Sequence, residues 1–397
     1  LSVGGIDSEM KKSEKCGLLP VGMTDILPPD AFCREKAVET VVGVFQSCGY
    51  DRVCPPLLEF EETLAGAKCG DLSNQTFRVT DPVSGKIMGV RADMTPQIGR
   101  IAVTRLKEEP RPLRLAYAGD VVRMFPTTLN PARQVLQVGA ELIGVDCVHA
   151  DAEIVLLAAE ALRTAGVDSF VVDLNLPTLM PALQKAFDID GGEAEALTDL
   201  LNQKDFAAAD SLLKSMGKGA RAAEPLFAAL FDAFGQSDRV LNVLKSLDLP
   251  EEAAAERARL IAVADLIKRE APELDLTVDV LENRGFEYHC GVCFSIFGEK
   301  GGRELGRGGR YIAGTDGALG EPAVGVTLFM TDILNALENA VSKQKVFVPF
   351  GVSYAQAADL RAKGYVTVCG LKPEDGRKAA RRLACDRIFT GGEVLPL

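Results

Sequence analysis

From Leu18 to about Leu176 the apolar residues alternate between two spacings. Ala31–Ser47 repeats them at helical spacing, with Pro28-Pro29-Asp30 ahead of it as a start signal. Short β-rich runs at Arg52–Pro55, Thr76–Thr80, Ile87–Arg91, Arg114–Met124 and Gln134–Ile143 read as strands. Asp151–Ala165 then reads as a helix and Ser169–Leu174 as a strand. From about Leu179 to Pro272 the chain turns Ala/Leu-rich and helical, with Leu260, Ile261, Val263, Ala264 and Ile267 lining one side of a helix. Strand character returns at Leu276–Val280, Tyr288–Phe297 and, past a Gly-rich stretch, Ala323–Phe329, with a helix over Thr331–Lys343. A helical block between β-rich blocks predicts a helical insertion, about 179–272, in one α+β domain spanning about 18–340. The tail, Gln344–Leu397, reads strand, helix, strand, helix and a short apolar end, a small α/β domain.

Composition narrows the class without naming it. With 397 residues, 47% hydrophobic and 25% charged, the chain is neither disordered nor a small disulfide scaffold. The net charge of −12 argues against a nucleic-acid-binding surface, although the tail from Gln344 is locally basic, with nine Lys/Arg against five Asp/Glu. Ten scattered cysteines and no secretory signal fit reduced thiols in the cytoplasm. The one Cys-x-x-Cys, Cys290 and Cys293 beside His289, falls on a strand, where residues three apart face opposite ways, so no metal or redox site is expected. No run approaches the ~20 apolar residues of a membrane span. Residues 1–17 read as an expression remnant and flexible N-terminus.

Chemistry is sparse. There is no P-loop and no dinucleotide fingerprint, and Gly306 to Tyr311 reads as a loop entering a strand. His149 and His289 are the only histidines. More telling are polar groups inside apolar strands: Val90 to Pro96 with Arg91, Asp93 and Thr95; Arg123; and Gln137, Gly139 and Glu141, which share one face at period two. A Gln and a carboxylate flanking a Gly form either a shelf for a small polar ligand or the exposed face of an antiparallel sheet. The residues alone leave both open.

The order of these pieces resembles the histidyl-tRNA synthetase family. Gly22 to Pro28 is similar to its opening, Gly49 to Pro56 to class II motif 1, Arg91 to Thr95 to its substrate-amine loop, and Leu115 to Arg123 with Arg133 to Glu141 to motif 2. Arg284 to His289 and Gly309 to Tyr311 resemble its two histidine-specific signatures. The resemblance spans roughly 18 to 340 and implies a class II aminoacyl-tRNA synthetase-like antiparallel sheet flanked by helices. It also implies roles. Asp93, Thr95 and Gln137 would hold a ligand α-amino group, and Arg123 and Arg284 its carboxylate. Glu141 would take an imidazole nitrogen, with Tyr288, His289 and Tyr311 lining the pocket.

The departures point to a paralogue. Asp332 stands where the family's motif 3 arginine binds the ATP γ-phosphate, and Met124 and Phe125 follow Arg123 where a glutamate would read adenine. The tail is shorter than an anticodon-binding domain. A histidine pocket without ATP and tRNA handling resembles the regulatory subunits of short-form ATP phosphoribosyltransferase. That family implies a non-catalytic chain that assembles with a separate catalytic subunit into a hetero-octamer. It activates that subunit, and it conveys feedback inhibition by free L-histidine in the first step of histidine biosynthesis. The resemblance further implies self-association through the synthetase-like dimer interface, a cytoplasmic setting, no cofactor, no metal, no nucleic acid and no membrane. The competing reading is a divergent histidyl-tRNA synthetase or other histidine-adenylating enzyme.

Overall fold

The computed structural model describes residues 18–64, 75–125, 131–282, 289–299, 302–314, 320–336 and 344–397. The chain forms two units, 1–337 and 338–397.

In the first unit the elements run α1 (Asp30–Ser47), β1 (Asp51–Arg52), β2 (Leu58–Phe60), α2 (Glu61–Leu64), β3 (Phe77–Thr80), β4 (Ile87–Val90), α3 (Thr95–Thr104), β5 (Leu113–Val122), β6 (Gln134–Ile143), α4 (Val148–Ala165) and β7 (Phe170–Asn175). The insertion follows as α5 (Leu179–Ala186), α6 (Gly191–Asn202), α7 (Phe206–Ser215), α8 (Lys218–Ala222), α9 (Glu224–Phe231), β8 (Phe234–Gln236), α10 (Ser237–Ser246) and α11 (Glu251–Glu270). The unit ends with β9 (Asp275–Asp279), β10 (His289–Gly298), β11 (Glu304–Ala313), β12 (Glu321–Phe329) and α12 (Met330–Ala336).

Nine strands form one sheet in the order β1-β5-β6-β12-β11-β10-β7-β9-β8. Its centre, β5 to β7, is antiparallel throughout, and parallel pairs occur only at β1–β5 and β7–β9. Both faces are covered, so β6 is buried from Val135 to Ile143. Its even positions, Leu136, Val138, Ala140 and Leu142, join the main core with α1 and α4. Its odd positions face the other way, where Val135 and Ile143 at the two ends join a second core with Met94, Ile98 and Ala102 of the α3 region. The helix α1 buries Ala37, Val41, Val42, Val44 and Phe45, and α4 stops at Gly166, whose left-handed φ of 99° lets Val167 N–H reach back to Leu162 O. A separate three-stranded sheet runs β2-β4-β3.

Three expectations need correction. Thr95 and Pro96 do not extend a strand: they open α3, whose N-cap Met94 makes no side-chain cap bond, so that its start was marked only by Pro96 in the first turn. Gly306 to Tyr311 is not a loop but the middle of β11, where Gly306 and Gly308 lie too close to Leu328, Thr327 O and Gly325 O for a side chain. The helical insertion also returns one short strand, β8, to the sheet margin beside β9.

The second unit has β13 (Lys345–Val348), α13 (Tyr354–Ala362), β14 (Val366–Cys369), α14 (Gly376–Arg382), β15 (Arg387–Thr390) and β16 (Glu393–Pro396). Its sheet runs β14-β13-β15-β16, with β13 parallel to both neighbours. The short apolar end is therefore a hairpin, turned at Gly391 and Gly392, both with positive φ. A capping box at Ser353 and Gln356 starts α13.

Candidate functional site

The odd-numbered face of β6 is a shelf running Gln137, Gly139, Glu141. Gln137 lies between Gly119 of β5 and Phe329 of β12, Gly139 between Tyr117 and Thr327, and Glu141 between Leu115 and Gly325. The exposed-face reading fails here, because Gln137 and Glu141 are each only 1% accessible. Two glycines clear the space. A Cβ at Gly139 would lie 2.3 Å from the Tyr117 hydroxyl, and one at Gly325 only 1.7 Å from Glu141 Oε2.

Glu141 is held from both sides. Tyr311 donates to Oε2 at 2.9 Å and Tyr117 donates to Oε1 at 3.3 Å. Burial pushes the Glu141 carboxyl up to about 8; hydrogen bonds from Tyr311, Thr95 and Tyr117 pull against that rise, and the nearby charge of Asp93 adds to it. The Tyr117 hydroxyl also lies 2.7 Å from Thr327 Oγ1 and 3.3 Å from Thr95 Oγ1. Burial and the charges of Glu141 and Asp93 raise Tyr117 well above its ordinary range.

At the other end of the shelf, Met94 N–H is shared by Gln137 Oε1 at 3.1 Å and Asp93 Oδ1 at 2.8 Å. Asp93 therefore sits over the shelf at the start of α3, with Thr95 beside it. Arg123 follows β5 and is tied through its backbone to Arg133. Burial lowers its guanidinium below the usual arginine range, Asp93 and Glu304 support its charge, and Arg307 opposes it. His289 opens β10 directly across from Tyr311 on β11. Arg284 and Tyr288 lie outside the described residues.

The structure thus brings Asp93, Thr95, Gln137, Glu141 and Tyr311 together on one sheet face, with Arg123 within the influence of Asp93. Arg91 serves a different purpose, donating to the carbonyls of Asp120 at 2.8 Å and Pro55 at 3.0 Å. Sequence reasoning missed Tyr117, Thr327 and Gly325. Their signal was a strand register, which needs the pairing partner as well as the strand. It also missed Arg307, which makes a bidentate contact to Glu304 at 2.7 and 2.6 Å and lies over the Phe329 ring. Asp332 sits nearby, 3.9 Å from Arg303, with its carboxyl raised by burial and by Glu304.

Behind the shelf, on the opposite face of β11, Arg310 donates to Asp151 Oδ1 at 2.8 and 2.5 Å, and Arg259 of α11 donates to Asp151 Oδ2 at 2.8 Å. The stretch Gly309-Arg310-Tyr311 thus sends one side chain to the shelf and one to a buried clamp. A groove of about 800 Å³ between α4 and the end of α11, lined by Arg114, His149, Glu153, Glu160 and Leu266, holds none of the shelf residues. Among the described residues no cluster of His, Cys, Asp or Glu is placed to hold a metal ion, the cysteines are free thiols, and no helix is long and apolar enough to cross a membrane.

Comparison with known proteins adds an independent line. The histidyl-tRNA synthetase family model matches residues 22–333. The ATP phosphoribosyltransferase regulatory subunit of Paramagnetospirillum magneticum is 49% identical over 377 residues, covering 95% of this chain and 97% of that protein. The protein of the same name from Rhodospirillum rubrum is 44% identical over 378 residues, covering 95% and 96%. Among solved structures, an ATP phosphoribosyltransferase regulatory subunit/histidyl-tRNA synthetase from Bacillus halodurans shares the fold with a TM-score of 0.78 at 23% identity, covering 92% of this chain and 96% of that one. A chain of the ATP phosphoribosyl transferase (HisG:HisZ) complex from Thermotoga maritima shares it with a TM-score of 0.57 at 20% identity, covering 75% and 97%.

Proposed function

The chain belongs to the histidyl-tRNA synthetase-like family of ATP phosphoribosyltransferase regulatory subunits, and from that premise we propose that it is a non-catalytic histidine sensor acting on a separate catalytic subunit. One observation carries the reading: a fully buried glutamate, steadied by two tyrosine hydroxyls, stands at one end of a shelf whose other end gathers Asp93, Gln137 and Arg123, with Thr95 between them and bonded to Glu141. Free L-histidine has the matching layout. Its ring N–H meets Glu141, its α-ammonium meets Asp93, Thr95 and Gln137, and its carboxylate meets Arg123 and Arg284. Tyr311 and His289, paired across β11 and β10, close the ring end, and the family resemblance assigns Tyr288 to the same role.

The triphosphate side supports absence of adenylation. Arg307 is already neutralised by Glu304, and Asp332 adds a second carboxylate where an incoming phosphate would need a cation. The activating and inhibiting roles then fall to assembly. Histidine shifts the catalytic partner only by binding two conformations of the complex unequally. The setting proposed is a cytoplasmic hetero-octamer. Self-association is supported by large apolar side chains left exposed at Leu27, Phe32, Leu57, Val79 and Ile87, around the start of α1 and on the three-stranded sheet.

Calorimetry with L-histidine tests the sensor, with Glu141→Ala as the control. Absence of binding at millimolar ligand defeats it. Activity of a catalytic subunit with and without this chain tests the partner. The alternative, a histidine-adenylating enzyme, requires histidine-dependent pyrophosphate exchange with ATP, and detecting that exchange would replace the present reading.

A further inference from the structure

We infer that the Tyr117 hydroxyl joins the two ends of the pocket, so that the site reads ring and amine together, and that Thr327 is the positioning residue that holds this hydroxyl in place. The inference rests on the histidine reading and deepens it. Tyr117 is fully buried, and its hydroxyl touches an oxygen from each of three elements: Thr95 of α3 at 3.3 Å, Glu141 of β6 at 3.3 Å and Thr327 of β12 at 2.7 Å. Packing alone would be served by phenylalanine. A buried hydroxyl is costly unless its bonds are met, and here a glycine at 139 is also spent to admit it.

Counting hydrogens gives the direction. The hydroxyl has one hydrogen and two acceptor positions. When a ligand ammonium donates to Thr95 Oγ1, the Thr95 hydrogen must turn away from the ligand, toward Tyr117 or Glu141. With Thr95 and Thr327 both donating to the Tyr117 oxygen, its own hydrogen is free for Glu141 Oε1. Glu141 then has Oε1 met by Tyr117 and Oε2 met by Tyr311, with its remaining lone pairs turned to the ligand ring. Every bond in this chain runs the same way, from ammonium through Thr95 and Tyr117 to the carboxylate. Bonds arranged in one direction polarise and strengthen one another. Occupying the amine end therefore stabilises Glu141 as the ionised carboxylate that pairs with the ligand ring, against the burial that favours its protonated form. Thr327 matters because its 2.7 Å contact is the shortest of the three and fixes where the hydroxyl points.

The test compares ligand halves. Histamine carries ring and amine, and 4-methylimidazole carries the ring alone, so the ratio of their dissociation constants measures what the amine adds. In Tyr117→Phe that ratio is expected to fall about fivefold or more, the loss of one buried hydrogen bond's coupling. Thr327→Val should move it in the same direction, and Thr327→Ser should restore it. A structural role would weaken both ligands equally and leave the ratio unchanged. An unchanged ratio in Tyr117→Phe, or in Thr327→Val should the tyrosine variant fail to fold, overturns the inference and assigns any coupling to Thr95 directly. If L-histidine fails to bind the unaltered chain, the histidine reading falls, and this inference falls with it.

Discussion

Gly325 lies directly opposite Glu141 in the ladder between β12 and β6, and a Cβ at Gly325 would come within 1.7 Å of Glu141 Oε2. Gly325→Ala is therefore expected to displace the carboxylate from both tyrosines. Histidine affinity should fall at least tenfold by calorimetry. Stability should drop by about 1–3 kcal/mol in urea melts, the ordinary cost of overpacking a close-packed interior.

Glu141 also makes stability depend on pH. Its folded value of about 8 lies above the ordinary carboxyl value of 4.5, so the folded state keeps a proton that the unfolded chain releases. This contribution is fully present below about pH 4.5 and is lost as pH rises through 8. Glu141→Gln removes it. The variant should gain on the native chain between pH 5 and 8.5 by a few kcal/mol, measured by denaturant melts at three pH values. Parallel pH profiles for the two chains would contradict the assignment.

The same carboxyl sets the proton balance of binding. Free imidazole titrates near 6.5, below Glu141. Near pH 7.2 the free partners hold one proton between them, and a bound carboxylate–imidazolium pair also holds one. Calorimetry of L-histidine in buffers of different ionisation heat should then show little net exchange. Below about pH 6.5 binding should release up to one proton. Above 8 it should take one up.

Asp151 is a structural anchor. Its carboxylate and the Arg310 guanidinium are almost wholly buried, and Arg259 completes the set. Asp151→Asn leaves the buried Arg310 with only the half-exposed Asp146, 3.5 Å away, as counter-charge, which costs about 3–5 kcal/mol. Thermal unfolding should shift down by many degrees. The double variant Asp151→Asn with Arg259→Met should recover part of the loss.

What the sequence disclosed follows physical lines. Gln137, Gly139 and Glu141 were legible as one face because a strand's side-chain period is two whatever it pairs with, and β6 spans Gln134–Ile143 as expected. The class II arrangement was legible through several ordered motifs, which the family match over residues 22–333 bears out. What escaped depended on partners distant in sequence. Gly325 acquires meaning only opposite Glu141, and Tyr117 only opposite Gly139. The start of α3 carried no capping residue, and β8 is three residues long and paired only with β9. The Gly391-Gly392 turn was a readable hairpin signal that the short apolar end obscured.

The two glycines under the ring end have a consequence for how such a protein can change. Any other amino acid at 139 or 325 brings a Cβ into the space of Tyr117 or Glu141, so no single codon change there can retune the pocket gently. Asp93, at the start of a helix and only half-buried, faces no such wall. Drift toward a different small ligand would have to begin at the amine end, leaving the ring end as the inherited, inflexible half of the site.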